Sequence, residues 1–378
     1  MNCPKAPGDA PIPAWLAFFE RRSWLLALIV VSVAVLRAVQ CLEIPARTGD
    51  IYRHILTGVM VRNEGWRAAA QPLSAWWQDA ATIAPWADAP YNYPPLALAF
   101  FVLVAHLGPS VLVAKILLTA LELLNAFLVF RITNSRVLGV VYWSLPLSIW
   151  WVSREAQFEP LQSTFLLLAL LGLQRSRPWS WGTWILACQT KLSAVFLLPL
   201  FLQEAFRIDR SRRTKALVWT LLAIVPSVVA WCYWPMPTQV LATFAWDGAW
   251  NPWHWSALWE TRYSLWCQLP LLIWVKLATL LLVALLLFFV RRRETEFAAA
   301  AAPLLFLVAS AWMSVFHGWY FCALIPLVLI PRSVVSKLLL ILVVQLCEPL
   351  SVYQLVIRPI GWGAPHEFVQ ATDLLSKP

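Results

Sequence analysis

Apolar runs of about twenty residues, each carrying no more than one charge, constrain this chain more than any other feature. A helix needs ~20 mostly apolar residues to cross the hydrocarbon core of a bilayer. Ser23–Leu42, Ala216–Trp234 and Trp266–Val290 all meet that length. The remainder of the 378 residues is nearly as apolar: 61% are hydrophobic, 13% are charged, and the mean hydropathy is +0.68. Soluble domains carry about 25% charged residues, so two soluble domains of this composition would lack the polar surface to stay in solution. The expected fold is an all-α polytopic membrane protein.

Twelve scattered glycines form no Gly-rich phosphate loop, which excludes a P-loop ATPase and a Rossmann nucleotide-sugar domain. The seven cysteines show neither a CxxC nor a zinc-ligand spacing. Arg21 and Arg22 precede a first apolar run that is too long for a signal-peptide core and lacks a small-residue cleavage site. An uncleaved first helix is expected there.

Charge supplies the topology. Basic clusters recur along the chain at Lys5, Arg21 and Arg22; Arg131 and Arg136; Arg175 and Arg177; Arg207 to Lys215; Arg291 to Arg293; and Arg332 and Lys337. Placing all of them in the cytoplasm gives that side 17 basic residues against six acidic ones, and the other side eight against eleven. The net charge of +10 then reads as a topogenic signal and not as a nucleic-acid footprint.

The rule forces hairpins where hydropathy alone would draw single spans. Both flanks of 179–203 are basic, so two half-spanning helices must turn near Thr190–Lys191; the stretch from Arg293 to Arg332 must likewise turn near His317–Gly318. About eleven transmembrane segments follow, at 23–42, 110–130, 137–152, 160–174, 179–190, 191–204, 216–234, 266–290, 297–316, 319–331 and 333–353, several of them short or broken. Residues 1–22 form a cytoplasmic tail. Residues 23–353 form a single transmembrane catalytic domain with extracytoplasmic loops at 43–109 and 235–265, and 354–378 form an extracytoplasmic tail.

In the first loop, Ile51, Ile55, Leu56, Val59 and Met60 make one helical face and Asp50, Arg53, His54 and Thr57 the other. That pattern predicts an amphipathic helix lying in the membrane interface. Residues 94–107 open on Pro94–Pro95 and predict a second helix, re-entrant or surface-lying. Trp246, Trp250, Trp253, Trp255 and Trp259 of the second loop fit an aromatic belt or a sugar-stacking platform. Arg37, Lys115, Glu122 and Glu348 fall inside apolar segments and are expected to pair or snorkel.

With this topology, Asp50, Arg154, Glu155, Gln157, Glu159, Lys191, His317, Trp319 and Tyr320 gather on the extracytoplasmic face. The motifs around them resemble, in order, those of the GT-C superfamily of polyprenyl-phosphate-sugar-dependent glycosyltransferases. Thr48-Gly49-Asp50-Ile51-Tyr52 is similar to that family's early acid after the first helix, and Tyr91-Asn92-Tyr93-Pro94-Pro95-Leu96 to its Y-x-Y-P-P-L. Ala156-Gln157-Phe158-Glu159 resembles G-Q-x-D, with Ala156 and Glu159 in place of Gly and Asp. Thr190-Lys191-Leu192 through Leu198-Pro199-Leu200 resembles its lysine–proline helix, and His317-Gly318-Trp319-Tyr320 its late H-x-W-Y. The nearest subgroup is mannosyltransferase-like and bacterial, related in design to the GPI and dolichol-linked mannosyltransferases.

The resemblance implies transfer of a sugar, mannose by first choice, from a polyprenyl-phosphate donor to a hydroxyl of a glycan, glycolipid or protein acceptor, by single displacement with inversion. Asp50 is the expected base. Lys191, Arg53, His317 and Tyr320 are expected at the donor phosphate, and Gln157, Glu159, Glu155, Tyr93 and Trp319 at the sugar or acceptor. No cofactor is expected, and the single Asp without a D-x-D pair argues against a divalent metal. The expected partners are the lipid-linked donor, the acceptor and membrane lipids, without nucleic acid. The expected location is the bacterial cytoplasmic membrane, or the ER membrane in a eukaryote. A secondary transporter or lipid-linked-sugar flippase would share the broken helices, but no inverted repeat is visible and the polar residues favour one face over the midplane.

Overall fold

The computed structural model describes residues 14–43, 50–80, 84, 87–233 and 320–330. The regular structure among these residues is all helical, with no strand. The helices are α1 (Ala14–Arg21), α2 (Ser23–Leu42), α3 (Asp50–Glu64), α4 (Pro95–Leu107), α5 (Val111–Thr133), α6 (Arg136–Trp143), α7 (Glu159–Gln174), α8 (Trp179–Thr190), α9 (Leu198–Arg207), α10 (Arg210–Tyr233) and α11 (Tyr320–Val328). The expected segments 266–290, 297–316 and 333–353, the loop 235–265 and both tails lie outside the described residues, apart from 14–22 of the first tail.

Three of these helices are long and apolar enough to cross a membrane: α2, α5 and α10 as far as Ala230. Each turns large apolar side chains outward, among them Leu28 and Val31 on α2, Ile116 and Phe127 on α5, and Leu222 and Val229 on α10. α10 buries instead Ala216, Ala223, Ser227 and Ala230, a stripe of small residues at near-heptad spacing. α8 uses it: a Cβ on Gly182 would lie 3.0 Å from the Trp219 carbonyl oxygen, so the two backbones touch. The same device joins α6 to α5, where a Cβ on Gly139 would meet the Ala126 oxygen at 2.8 Å.

The hairpin at 179–203 has the form expected of it. Lys191 is extended, with φ −155° and ψ 133°, and ends α8. The chain then runs through a 3₁₀ stretch, Leu192–Leu197, into α9, which folds back along α8. The Trp184 indole donates to the Ala194 oxygen at 2.9 Å and its ring stacks on Phe201 at 4.7 Å.

Two expectations change. Residues 137–152 are not one span: α6 stops at Trp143, and a turn at Pro146–Ser148 leads into a π-helical stretch, Ile149–Arg154. Pro146 lacks an N–H and pushes Leu145 out of the helical region, to φ −65° and ψ 122°, which breaks the helix there. Nor does α3 lie in an interface with its polar face wet. Residues 51–61 are buried on every side. α4 crosses so closely at Gly58 that a Cβ there would lie 2.4 Å from the Phe101 carbonyl oxygen. The polar residues of α3 therefore face protein.

Candidate functional site

Asp50, Arg53 and His54 share one side of α3, as residues three and four apart must. Arg53 donates to the Pro90 and Ala89 carbonyl oxygens at 2.8 and 3.4 Å, which ties α3 to the strand-like approach of Tyr91 and Tyr93. His54 is enclosed by rings: it stacks on Phe101 at 4.7 Å and meets Tyr91, Tyr93 and Phe158 edge-on at 5.5, 5.0 and 5.0 Å. Its Nδ1 has no hydrogen-bond partner among the described residues. Burial, reinforced by the positive charges of Arg53 and Lys191, holds its pKa well below 6.5, so the imidazole is neutral.

Lys191 enters from the end of α8 and Glu159 from the start of α7, and the two form an ion pair. An acid in a first helical turn is favoured by the helix dipole. The Lys191 ammonium also lies 5.2 Å from the Phe158 ring centroid and 5.8 Å from that of Tyr93. Gln162, almost a turn beyond Glu159, fixes the backbone there by donating to the Lys191 oxygen at 2.7 Å and to Ser193 Oγ at 2.9 Å.

Asp50 belongs to the same group. It is partly buried, and that burial raises its pKa above 3.8, opposed by the positive charges of Arg53 and Lys191 and assisted by the negative charge of Glu159. Burial likewise raises the Tyr93 hydroxyl, with Asp50 and Glu159 adding to the effect and Arg53 opposing it. Of the residues expected from sequence, the structure thus sets Tyr93, Glu159 and Lys191 around the Phe158 ring, with Asp50 and Arg53 on the side of α3 whose His54 meets that ring. Phe158, His54 and Gln162 are additions. His54 was visible on the polar face of α3, whereas Phe158 and Gln162 carry no sequence signal that separates them from ordinary membrane residues.

Glu155 stands apart. It is buried and lies 3.8 Å from Arg154, and its charge acts on Tyr52 and Lys115. Tyr52 projects from the opposite side of α3 to Asp50 and Arg53. Burial, with Glu155 adding to the effect, pushes its hydroxyl up to about 12. Gln157 is buried in the turn between, its N–H donating to the Trp151 oxygen at 2.9 Å. In that turn Ala156 has φ 57°, a left-handed conformation suited to glycine.

His317 and Trp319 lie outside the described residues. Tyr320 opens α11, which rests on α7: Ser163 Oγ, one turn beyond Glu159, donates to the Cys322 oxygen at 3.4 Å. Among the described residues no three His, Cys, Asp or Glu side chains come together as a metal site would require. What the cluster offers is a cation at the edge of an aromatic floor, flanked by two carboxylates. Such a site can hold an anionic group while a carboxylate accepts a proton beside it. No protein-family model matches the chain, and no curated protein matches it.

Proposed function

We propose that this protein is an integral-membrane glycosyltransferase of the GT-C type, moving a sugar, mannose by first choice, from a polyprenyl-phosphate donor to an acceptor hydroxyl on the extracytoplasmic side. The observation that carries the reading is convergence. Four stretches scattered over about 140 residues of chain meet around one aromatic floor: α3, through His54 and with Asp50 and Arg53 on the same side of the helix, then Tyr93, Phe158–Glu159 and Lys191.

In the reaction, the acceptor oxygen forms a bond to the anomeric carbon as the bond from that carbon to the lipid phosphate breaks. The phosphate departs with the electron pair, and the acceptor proton passes to the Asp50 carboxylate. A single displacement inverts the anomeric centre and needs no covalent sugar–enzyme intermediate. Lys191 is the first candidate to stabilise the departing phosphate, and its partial exclusion from water strengthens that attraction. Glu159 holds the ammonium in place, so the donor phosphate competes with a carboxylate already there. Arg53 supplies the second positive charge, anchored by backbone oxygens. Tyr93 is the candidate for sugar or acceptor hydroxyls that the Lys191 and Phe158 contacts support, and Gln157 stays a candidate from sequence.

The test is sugar transfer by the purified protein in lipid, with polyprenyl-phosphate-mannose and EDTA present. Release of polyprenyl phosphate by the wild type, lost by about two orders of magnitude or more in Asp50→Asn, is the expected result. An equally active variant would move the base to Glu159. No turnover across a panel of lipid-linked sugars would overturn the reading, and movement of label across vesicles without glycoside formation would favour a transporter.

A further inference from the structure

Inside the bundle, away from the site, one face of α5 carries Lys115, Thr119, Glu122 and Asn125 at spacings of four, three and three. All but Thr119 are buried, and this polar stripe lies on a helix long enough to span a membrane. Arg37 of α2 reaches it with no side-chain exposure at all, 3.9 Å from Glu122. Charge at that depth is costly, so a pair retained there calls for an account.

The hydrogen bonds of this group converge on the broken stretch between α6 and α7. Arg37 Nε and Nη2 both donate to the Trp143 oxygen, the last carbonyl of α6, at 3.2 and 2.8 Å. The same guanidinium donates to Ser148 Oγ, just before the π-helical stretch, and to Ser153 Oγ within it, both at 2.9 Å. Ser148 in turn donates to Glu122 at 2.8 Å, and Thr119 donates to Ser153 at 3.2 Å. At the far end, Asn125 donates to the Pro160 oxygen at 3.1 Å and accepts from Thr164 at 2.8 Å. Irregular backbone at membrane depth survives only where protein satisfies its polar groups. Here the frame grips the stretch at its beginning, at Ser148 and Ser153 within it, and at Pro160 just past its end, so that Phe158 and Glu159 lie between the last two holds.

We propose that Arg37 is a positioning residue: through Trp143, Ser148 and Ser153 it sets the path of residues 144–158 and thereby presents Glu159 and Phe158 to Lys191. The consequence for catalysis rests on the function proposed above, whereas the consequence for Lys191 does not. A planar fork that holds three acceptors at once is a property of arginine and not of lysine.

The experiment compares the wild type with Arg37→Lys and with the double variant Arg37→Met/Glu122→Met, all in lipid. Removing both charges together leaves neither unpaired, and apolar replacement of a buried pair can preserve stability. The readouts are thermal unfolding, the modification rate of Lys191 by an amine-reactive reagent relative to Lys215, and kcat against KM for transfer. The double variant is expected to fold, with Lys191 modified about tenfold faster and kcat down about tenfold at a KM within about threefold, since a misplacement near 1 Å is enough for such losses. Arg37→Lys is expected to show the same direction. A folded double variant with wild-type Lys191 protection would overturn the proposal, and wild-type kcat would do the same. Should the double variant not fold, Ser153→Ala removes one arm of the fork: about threefold faster Lys191 modification is expected, and no change overturns the proposal. If the wild type transfers no sugar, the functional reading falls, and Lys191 protection alone decides the positioning claim.

Discussion

Two of the buried ion pairs among the described residues, Arg37–Glu122 and Lys191–Glu159, differ in exposure and in what holds them. Neither Arg37 nor Glu122 has any exposed side-chain surface, and four donations from the guanidinium end on protein oxygens. Lys191 keeps 12% of its side-chain surface, rests against ring faces, and is a point charge on a flexible stem. The carboxylate facing it has an oxygen, Oε2, without a hydrogen-bond partner among the described residues. The first pair fixes geometry in several directions at once. The second holds a charge where something else can reach it. A buried ionisable residue in a membrane protein is therefore not by itself the site, because both pairs meet that description and only one is accessible.

The largest expected contrast comes from breaking each pair on one side. Arg37→Met strands Glu122 and is expected to cost about 3–5 kcal/mol, the loss seen when a buried charge is left alone. Lys191→Met strands the fully buried Glu159, but beside a position that is 12% exposed, and water admitted there is expected to hold the cost to about 1–3 kcal/mol while transfer falls far more. Reversible unfolding in mixed micelles measures both, and equal losses would break the comparison. Next in size is Gly58→Ala, whose Cβ must displace the Phe101 backbone. A cost of about 1–3 kcal/mol is expected, with reduced transfer because α3 carries Asp50 and Arg53.

Asp50 gives a pH signature. Its folded pKa is raised above 3.8, first by burial, so its protonation stabilises the fold. That contribution is fully present below 3.8 and is lost as pH rises through the folded value. Catalysis needs the opposite form, so the acid limb of kcat/KM is expected at higher pH than an ordinary aspartate would give. A pH–rate profile with its acid limb at the ordinary aspartate position would remove Asp50 as the base. The smallest effect is expected at Ala156→Gly, which relieves a left-handed alanine. It should stabilise by about 1 kcal/mol, less the contact of the buried methyl, with transfer unchanged.

Much of the helical layout was legible. α2 and α8 begin and end where apolar runs and flanking charges put them, and the turn at Lys191 followed from basic residues on both flanks. The break after Trp143 was less legible, because Val137–Val152 is apolar enough for one span and a single proline decides otherwise. The burial of α3 was misjudged for a different reason. A polar face reads the same whether water or protein covers it, and only α4 and the rings of Tyr91, Tyr93 and Phe158 distinguish the two.

The sequence by itself determined that this is a helical chain with membrane-length apolar segments, because hydrocarbon accepts only helices from a chain of this composition. It also marked Asp50, Arg53, Tyr93, Glu159 and Lys191 as residues in need of an explanation. Tertiary structure alone decided that Lys191 pairs with Glu159 beside the rings of Tyr93 and Phe158, that Glu155 lies against Arg154 instead, and that Arg37 reaches the stretch leading to Glu159 through Trp143, Ser148 and Ser153. Pairing between residues far apart in the chain depends on which helix faces touch, and that is settled by close approaches such as Gly58 on Phe101 and Gly182 on Trp219, which no local pattern encodes.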